Sequence, residues 1–320
     1  MFVNERIKPI KLLKSEALLR RLDPDHPKRS KIMDDILGRR AGYHGELEVD
    51  YHISLLPEKS YIIYRGLRLE KDRHVVQMDL VIITQYGLLI IEIKNFTGTL
   101  FFDKHSGQML RRYKDIEEGY ADPIAQVKRQ CYLLKEMLAE IQMKNIPINH
   151  LVAIAFPSTI LKTNPGNEHI FKTVLHADHL CDRIKEIEKQ PAKRLTEKQK
   201  DQLTDFFRRH QTPEPVNILE SYKISKDELI SGVQCPFCKR YPMKYVNGKW
   251  ICKWCKQQSR TAHEQALLDF SLLLSPTINN FQCRNYLGLT SVKVARTLLK
   301  KMKLLPIGKG KGVFYQLPQS

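Results

Sequence analysis

The chain has no apolar run near the ~20 residues that a helix needs to cross a bilayer, which excludes a helical membrane span. It has no internal repeat and no low-complexity tract, which leaves ordinary folded domains. The opening stretch MFVNERIKPIKLLKSEALLRRL is basic but has no uninterrupted apolar centre, so it is not read as a secretory leader, and a cytoplasmic location is expected. The histidines, His44, His52, His74 and His105 among them, are scattered without metal-ligand spacing and receive no role. Acidic residues are nearly absent from the last quarter. From Val233 onward, 15 Lys and Arg stand against Glu264 and Asp269, whereas the preceding residues carry 38 basic against 33 acidic side chains. That imbalance attracts phosphate backbones through counterion release. A solubilising or membrane-surface patch is the blander reading of the same charge. With 320 residues, 42% hydrophobic and 28% charged, the chain is long enough for two or three domains with a real core.

Seven cysteines are present, and four of them are tightly grouped: Cys235-Pro-Phe-Cys238 and, thirteen residues on, Cys252-Lys-Trp-Cys255. Each CxxC turn presents two thiolates to one ion, and two such turns make a tetrahedral S4 site with no open position, as in structural zinc. A redox dithiol pair or an iron–sulfur cluster would use the same residues. Asn247-Gly248 lies between the pairs and signals a hairpin, the shape of a zinc ribbon. The module is similar to the four-cysteine fingers appended to bacterial topoisomerases. That likeness implies DNA contact, with Phe237, Tyr245, Trp250 and Trp254 either stacking on bases or forming the module's own small core. Cys131, Cys181 and Cys283 stand alone in helix-like segments and are read as small apolar residues.

Secondary structure is legible from periodicity. A short helix and a loop are expected in the first thirty residues, and a helical segment over 31–56 with Gly42 and Gly45 as interruptions. Three β-branched runs, Tyr61–Leu69, Val75–Thr84 and Gly87–Phe96, predict strands buried on both faces. A hairpin over Thr99–Tyr113 turns at His105-Ser106-Gly107. Asp122 as N-cap and Pro123 at the first helical position start a helix whose apolar stripe is Ile124, Val127, Cys131, Leu134, Leu138 and Ile141. A fourth strand runs over His150–Phe156, followed by helices near 177–189 and 196–210.

The tail predicts helices over His263–Leu274, Asn279–Leu287 and Thr290–Met302, then a hairpin over Leu304–Gln316. Lys293, Arg296 and Lys300 share one face of the third helix, and Lys309 and Lys311 lie in the hairpin. Helix, helix, basic helix and basic hairpin resemble a winged helix-turn-helix, which would send the third helix into the major groove. A small helical bundle docking on a partner fits the same pattern.

Three ionisable residues interrupt the apolar strands. Asp79 sits in the second, and Glu92 and Lys94 sit on one face of the third. Such residues are costly in a buried sheet unless they compensate one another or hold a cation. Asp79, Glu92 and the carbonyl of Ile93 offer hard oxygen ligands for Mg2+ or Mn2+, with Lys94 placed to orient a water or balance developing charge. Glu46 on the preceding helix would add a ligand through water. Gln126 and Gln130, four apart, share one helical face and would reach the same place.

The ordered series Gly45-Glu46, Gln77-Met78-Asp79, Glu92-Ile93-Lys94 and Asp122-Pro123-Ile124-Ala125-Gln126 resembles the nuclease-related domain, NERD, over roughly residues 38–185. That family belongs to the PD-(D/E)xK nuclease superfamily. The resemblance implies an α/β, restriction-endonuclease-like αβββαβ core, with Glu46, Asp79, Glu92, Lys94 and Gln126 at the active-site positions. Met78 stands where the superfamily name has Pro.

The expected organisation is a basic extension (1–37), a NERD nuclease-like domain (38–210), a linker (211–232), a zinc ribbon (233–258) and a small winged-helix-like domain (259–320). The expected function is Mg2+- or Mn2+-dependent hydrolysis of DNA phosphodiesters, with structural zinc, no organic cofactor and no membrane partner. The alternative is a non-catalytic DNA-binding or regulatory protein that keeps a nuclease-like scaffold.

Overall fold

A computed structural model describes residues 1–71, 74–189, 193–308 and 310–318. The chain groups into two units, Met1–Ile7 with Arg40–Glu214 and Lys8–Arg39 with Pro215–Ser320. Two helices come first, α1 (Ile10–Arg21) and α2 (Arg29–Ile53). Gly42 and Gly45 do not interrupt α2, because the helical hydrogen bonds carry through them.

The first unit is built on a mixed five-stranded sheet. Its strands are β1 (Ile62–Lys71), β2 (His74–Ile83), β3 (Leu88–Lys94), β7 (Ile148–Ile154) and β9 (Val174–His176), in the order β1-β2-β3-β7-β9. The first three are antiparallel, and β7 and β9 run parallel to β3 and β7 respectively. Parallel pairing of β3 with β7 requires a crossover, and the crossover is the helix α3 (Pro123–Glu140). Asp122 caps it as expected, its side chain accepting the Ile124 N–H at 2.9 Å.

Apolar residues cover both faces of this sheet. On one face Val127, Leu134 and Leu138 of α3 join Leu203, Phe206 and Phe207 of α5 (Glu197–His210). On the other, Val49 and Ile53 of α2 join Leu180 and Ile184 of α4 (Leu180–Glu188). This is the α/β, restriction-endonuclease-like core that the resemblance implies.

A second sheet holds β4 (Thr99–Asp103), β5 (Gln108–Tyr113), β6 (Ile116–Ala121) and β8 (Ile160–Thr163), in the order β6-β5-β4-β8. The expected hairpin is β4–β5, and β6, β8 and β9 are additions to the sequence reading. They are short or half-exposed, so their hydrophobic alternation is too brief to be diagnostic.

The second unit contains α1, the first part of α2, and α6 (Ile218–Ser221) in the segment expected as a linker. It also contains a ribbon of β10 (Met243–Val246), β11 (Lys249–Cys252) and β12 (Gln258–Ser259). The tail follows as α7 (Ala262–Leu273), β13 (Thr277–Asn279), α8 (Asn280–Leu287), α9 (Val292–Lys301), β14 (Pro306–Ile307) and β15 (Phe314–Gln316). Ribbon and tail share one core, in which Met243, Trp250 and Cys252 meet Leu267, Ile278, Leu287 and Leu298.

The segment expected as a basic extension supplies α1, whose arginines are structural. Arg21 is fully buried, donating from Nε to Asp269 Oδ2 at 2.7 Å and from Nη1 to the Gly232 carbonyl at 2.7 Å. Its guanidinium lies near the rings of Tyr241 and Tyr286, and Arg20 takes the other oxygen of Asp269. No helix among the described residues is long and apolar enough to cross a membrane.

Candidate functional site

Side chains in a strand alternate between faces, so a change of phase marks a distortion. On β2, Val76 and Met78 pack into the same core as Val81 and Ile83, while Leu80 and Ile82 pack into the other. The alternation therefore resets around Asp79. On β1 it resets at the facing position: Tyr64, Leu67 and Leu69 share one core, and Gly66 between them has φ of 59°. Pairing runs through Arg65↔Leu80 and Leu67↔Met78 without a Gly66↔Asp79 pair. Glycine is needed here because a left-handed φ is strained for any residue with a Cβ.

The β2–β3 ladder ends at the same place, with Leu80↔Ile91 its last pair. Beyond it the Asp79 carboxylate substitutes for a strand partner, its Oδ2 accepting the Ile93 N–H at 2.9 Å. In extended backbone the carbonyl of a residue points to the same side as its N–H, so the Ile93 oxygen faces the gap as well. β3 meanwhile stays paired to β7 through Lys94. The two strands thus part on one side of Glu92 while it remains anchored on the other.

Glu92 is buried, and its carboxylate is enclosed by side chains. Lys94 Nζ donates to Oε1 at 2.7 Å and to Gln126 Oε1 at 3.1 Å, and Gln126 Nε2 donates to the same Glu92 Oε1 at 2.7 Å. Gln130, one turn further along α3, donates to Glu92 Oε2 at 2.8 Å and to the Gln77 carbonyl at 2.9 Å. The Gln130 carbonyl oxygen is buried without a partner among the described residues. The expected i, i+4 glutamine pair is therefore seated on Glu92.

Burial, reinforced by the charge of Glu92, pushes the Asp79 carboxyl up to about 7, against the opposing pull of the Ile93 N–H. Glu46 reaches the same cluster from α2. Its carboxyl is raised by burial and by the charges of Asp50 and Glu92, and lowered by Arg6, which donates to it at 2.8 Å. Gly45 makes this approach of α2 possible. A Cβ there would lie 2.5 Å from the Asn95 Cβ and 3.2 Å from the Ala155 Cβ. Sequence reading misses Arg6 and Asp50. Their only signal is an arginine in a segment rich in basic residues and an aspartate one turn beyond Glu46.

Residues 41–155 match the family NERD, nuclease-related domain. Over those residues the chain is similar to that domain. Among curated proteins and among solved structures nothing matches. The NERD match contains Glu46, Asp79, Glu92, Lys94 and Gln126; hydrogen bonds join Glu92, Lys94 and Gln126, Asp79 lies beside them on the Ile93 N–H, and Glu46 is held by Arg6.

The four clustered cysteines, which lie outside the NERD match, have their sulfur atoms within 4.8 Å of one another. Cys235 and Cys255 are 3.6 Å apart and Cys238 and Cys252 3.5 Å apart, close to the edge of about 3.8 Å that Zn–S bonds of about 2.3 Å give a tetrahedron. The two turns are built alike. Lys239 N–H returns to the Cys235 carbonyl at 3.0 Å and Lys256 N–H to the Cys252 carbonyl at 3.1 Å, with positive φ at both lysines. Asn247 and Gly248 both have positive φ, as a two-residue hairpin turn requires. This group can hold a zinc ion. Of the aromatics, Trp250 is buried and Tyr245 packs edge-on against it, whereas Phe237 and Trp254 are exposed.

On α9, Ala295, Leu298 and Leu299 face the core, and Lys293, Arg296 and Lys300 are exposed on one face. Ser291 caps the helix through the Val294 N–H. Lys309 lies outside the described residues, and so does the side chain of Lys311.

Proposed function

We propose that this protein is a Mg2+- or Mn2+-dependent nuclease that hydrolyses DNA phosphodiesters at the Asp79–Glu92–Lys94 centre, with its tail modules supplying DNA affinity. The observation that carries the reading is the convergence of those side chains where β2 and β3 part. Asp79, Glu92 and the Ile93 carbonyl would hold the cation, whose charge would offset the burial and the neighbouring Glu92 that raise the Asp79 carboxyl. When bound, such an ion polarises a phosphate oxygen and lowers the pKa of a coordinated water. The protein's own part is positioning. Gln126 and Gln130 fix the Glu92 carboxylate, and Lys94 sets a positive charge beside it where charge develops on phosphate.

The tail supports DNA as the partner. Its order α7-β13-α8-α9-β14-β15, with a three-stranded antiparallel sheet β13-β15-β14, supports reading it as a winged helix. In that arrangement α9 enters the major groove with Lys293, Arg296 and Lys300. The cysteine ribbon would be held by structural zinc, leaving Phe237 and Trp254 exposed for contact with bases.

One observation favours a second reading. Both Glu92 oxygens are already occupied by Lys94, Gln126 and Gln130, which suits a scaffold kept for binding without turnover. The experiment is a cleavage screen over single-stranded, duplex and branched DNA and RNA with Mg2+, Mn2+ or no metal. Metal-dependent cleavage supports the nuclease, and tight DNA binding without cleavage under every condition supports the scaffold.

A further inference from the structure

The residues Met1–Ile7 lie outside the NERD match, yet they are part of the first unit and are fastened to β1 opposite Asp79. Phe2 bridges to Ile63, and the Asn4 side chain occupies both backbone groups of Arg65, accepting its N–H at 2.9 Å and donating to its carbonyl at 2.8 Å. Arg65 precedes Gly66, the residue where β1 changes phase across from Asp79. The Arg65 guanidinium stacks on Phe2, 3.5 Å from the ring centre, and its Nε lies 2.8 Å from Asp50 Oδ2.

Arg6 completes this segment. Its Nε and Nη2 donate to the two oxygens of Asp50, each at 2.8 Å, and its Nη1 donates to Glu46 at 2.8 Å. A guanidinium is a rigid plane, so forking onto Asp50 through Nε and Nη2 fixes the directions of the remaining N–H groups, and one of them, on Nη1, holds Glu46. Asp50 is itself fixed by Arg65, and the Arg6 side chain is only 7% exposed. Gly45, beside Glu46, packs on Asn95, and the Asn95 side chain donates to the Ala41 carbonyl at 2.7 Å, so Glu46 lies over the end of β3 that carries Glu92 and Lys94. Arg6 is the cation on the Glu46 side.

We propose that Arg6 is a positioning residue of the Asp79–Glu92 centre, acting through Glu46, whose carboxylate it aims at the two acids. This rests on the nuclease reading above. It makes a segment beyond the family's matched residues necessary for assembling the site.

The test uses the full chain as wild type, R6Q, R6K, E46Q and the double variant R6Q/E46Q, with Mn2+ affinity from calorimetry and kcat and KM on DNA. Losing a residue that orients a ligand weakens metal affinity by about 10- to 100-fold, so R6Q should fall in that range, with kcat reduced and KM unchanged. R6K keeps the charge without the fork and should recover less than half of the loss. In the E46Q background R6Q should add less than about twofold, the limit within which independent effects are indistinguishable. Near-wild-type Mn2+ affinity and kcat in R6Q, or losses that simply multiply in the double variant, overturn the proposal. Where R6Q does not fold, Asn4→Ala loosens the same segment without removing a charge. It should weaken Mn2+ binding in the same direction, and unchanged binding overturns the proposal. A wild type that neither binds Mn2+ nor cleaves DNA overturns the nuclease reading and this inference with it, whereas an active wild type with an indifferent Arg6 overturns this inference alone.

Discussion

Asp79 Oδ2 accepts the Ile93 N–H at 2.9 Å, just past the last pair of the β2–β3 ladder. One carboxylate thus replaces a strand partner beside Glu92. The arrangement is electrostatically unfavourable, since burial and a second acid both oppose its ionisation. Sites kept for function often carry such a cost in stability.

The pH dependence follows from the sign of that shift. The folded protein holds the Asp79 proton up to about 7, while the unfolded chain releases it near the ordinary value of 3.8. Between those values the folded state binds more protons, so this group's contribution to stability falls as pH rises through the window. Asp79→Asn keeps an acceptor for Ile93 and removes the charge. It should melt about 2–4 °C above wild type at pH 8, and the gap should close towards pH 4. Thermal unfolding without added metal checks this, and equal melting temperatures at pH 8 would contradict it.

Zinc should be present at one ion per chain and lost in Cys252→Ser. Because Cys235 and Cys252 share a core with Trp250, Leu267 and Leu298, losing the metal should loosen the tail along with the ribbon. Metal analysis and tryptophan emission read both effects, since Trp250 is buried and Trp254 is already exposed. Full zinc content in the variant, or emission unchanged on chelation, would contradict the assignment.

Arg21→Ala should destabilise the second unit by about 3–5 kcal/mol, the usual result of stranding one member of a buried ion pair. Asp269 is 1% exposed, and Arg20 and Gln265 would remain as its partners, so the lower end is expected. Urea unfolding of the full chain measures it. A loss below about 1 kcal/mol, the value of an exposed pair, would show that the ion pair adds little.

Much of this is readable from the sequence because the signals are local. The β-branched runs mark β1, β2 and β3, Asp122-Pro123 marks the start of α3, and the two CxxC pairs with Asn247-Gly248 mark the ribbon. Asp79, Glu92 and Lys94 stand out because charge is costly in such strands. What cannot be read depends on distant partners. Arg20 and Arg21 look like surface charge, and their partner Asp269 lies almost 250 positions away. The phase change at Gly66 and Asp79 needs two strands to be seen at once, and Arg6 acquires meaning only beside Asp50 and Glu46.

Replacing Lys293, Arg296 and Lys300 together by Ala should weaken DNA binding almost equally across sequences. It should also reduce the slope of log K against log salt by up to about 3, near one unit for each phosphate no longer neutralised. Fluorescence anisotropy over a salt series gives the slope. An unchanged slope would move DNA binding away from the exposed face of α9.

The most direct test of the central claim is Mn2+-dependent DNA cleavage by wild type, Asp79→Ala and Lys94→Ala, with DNA affinity measured on the same preparations. Cleavage by wild type alone, with affinity kept in both variants, is the predicted result. Equal background cleavage by all three proteins on every DNA form would contradict it.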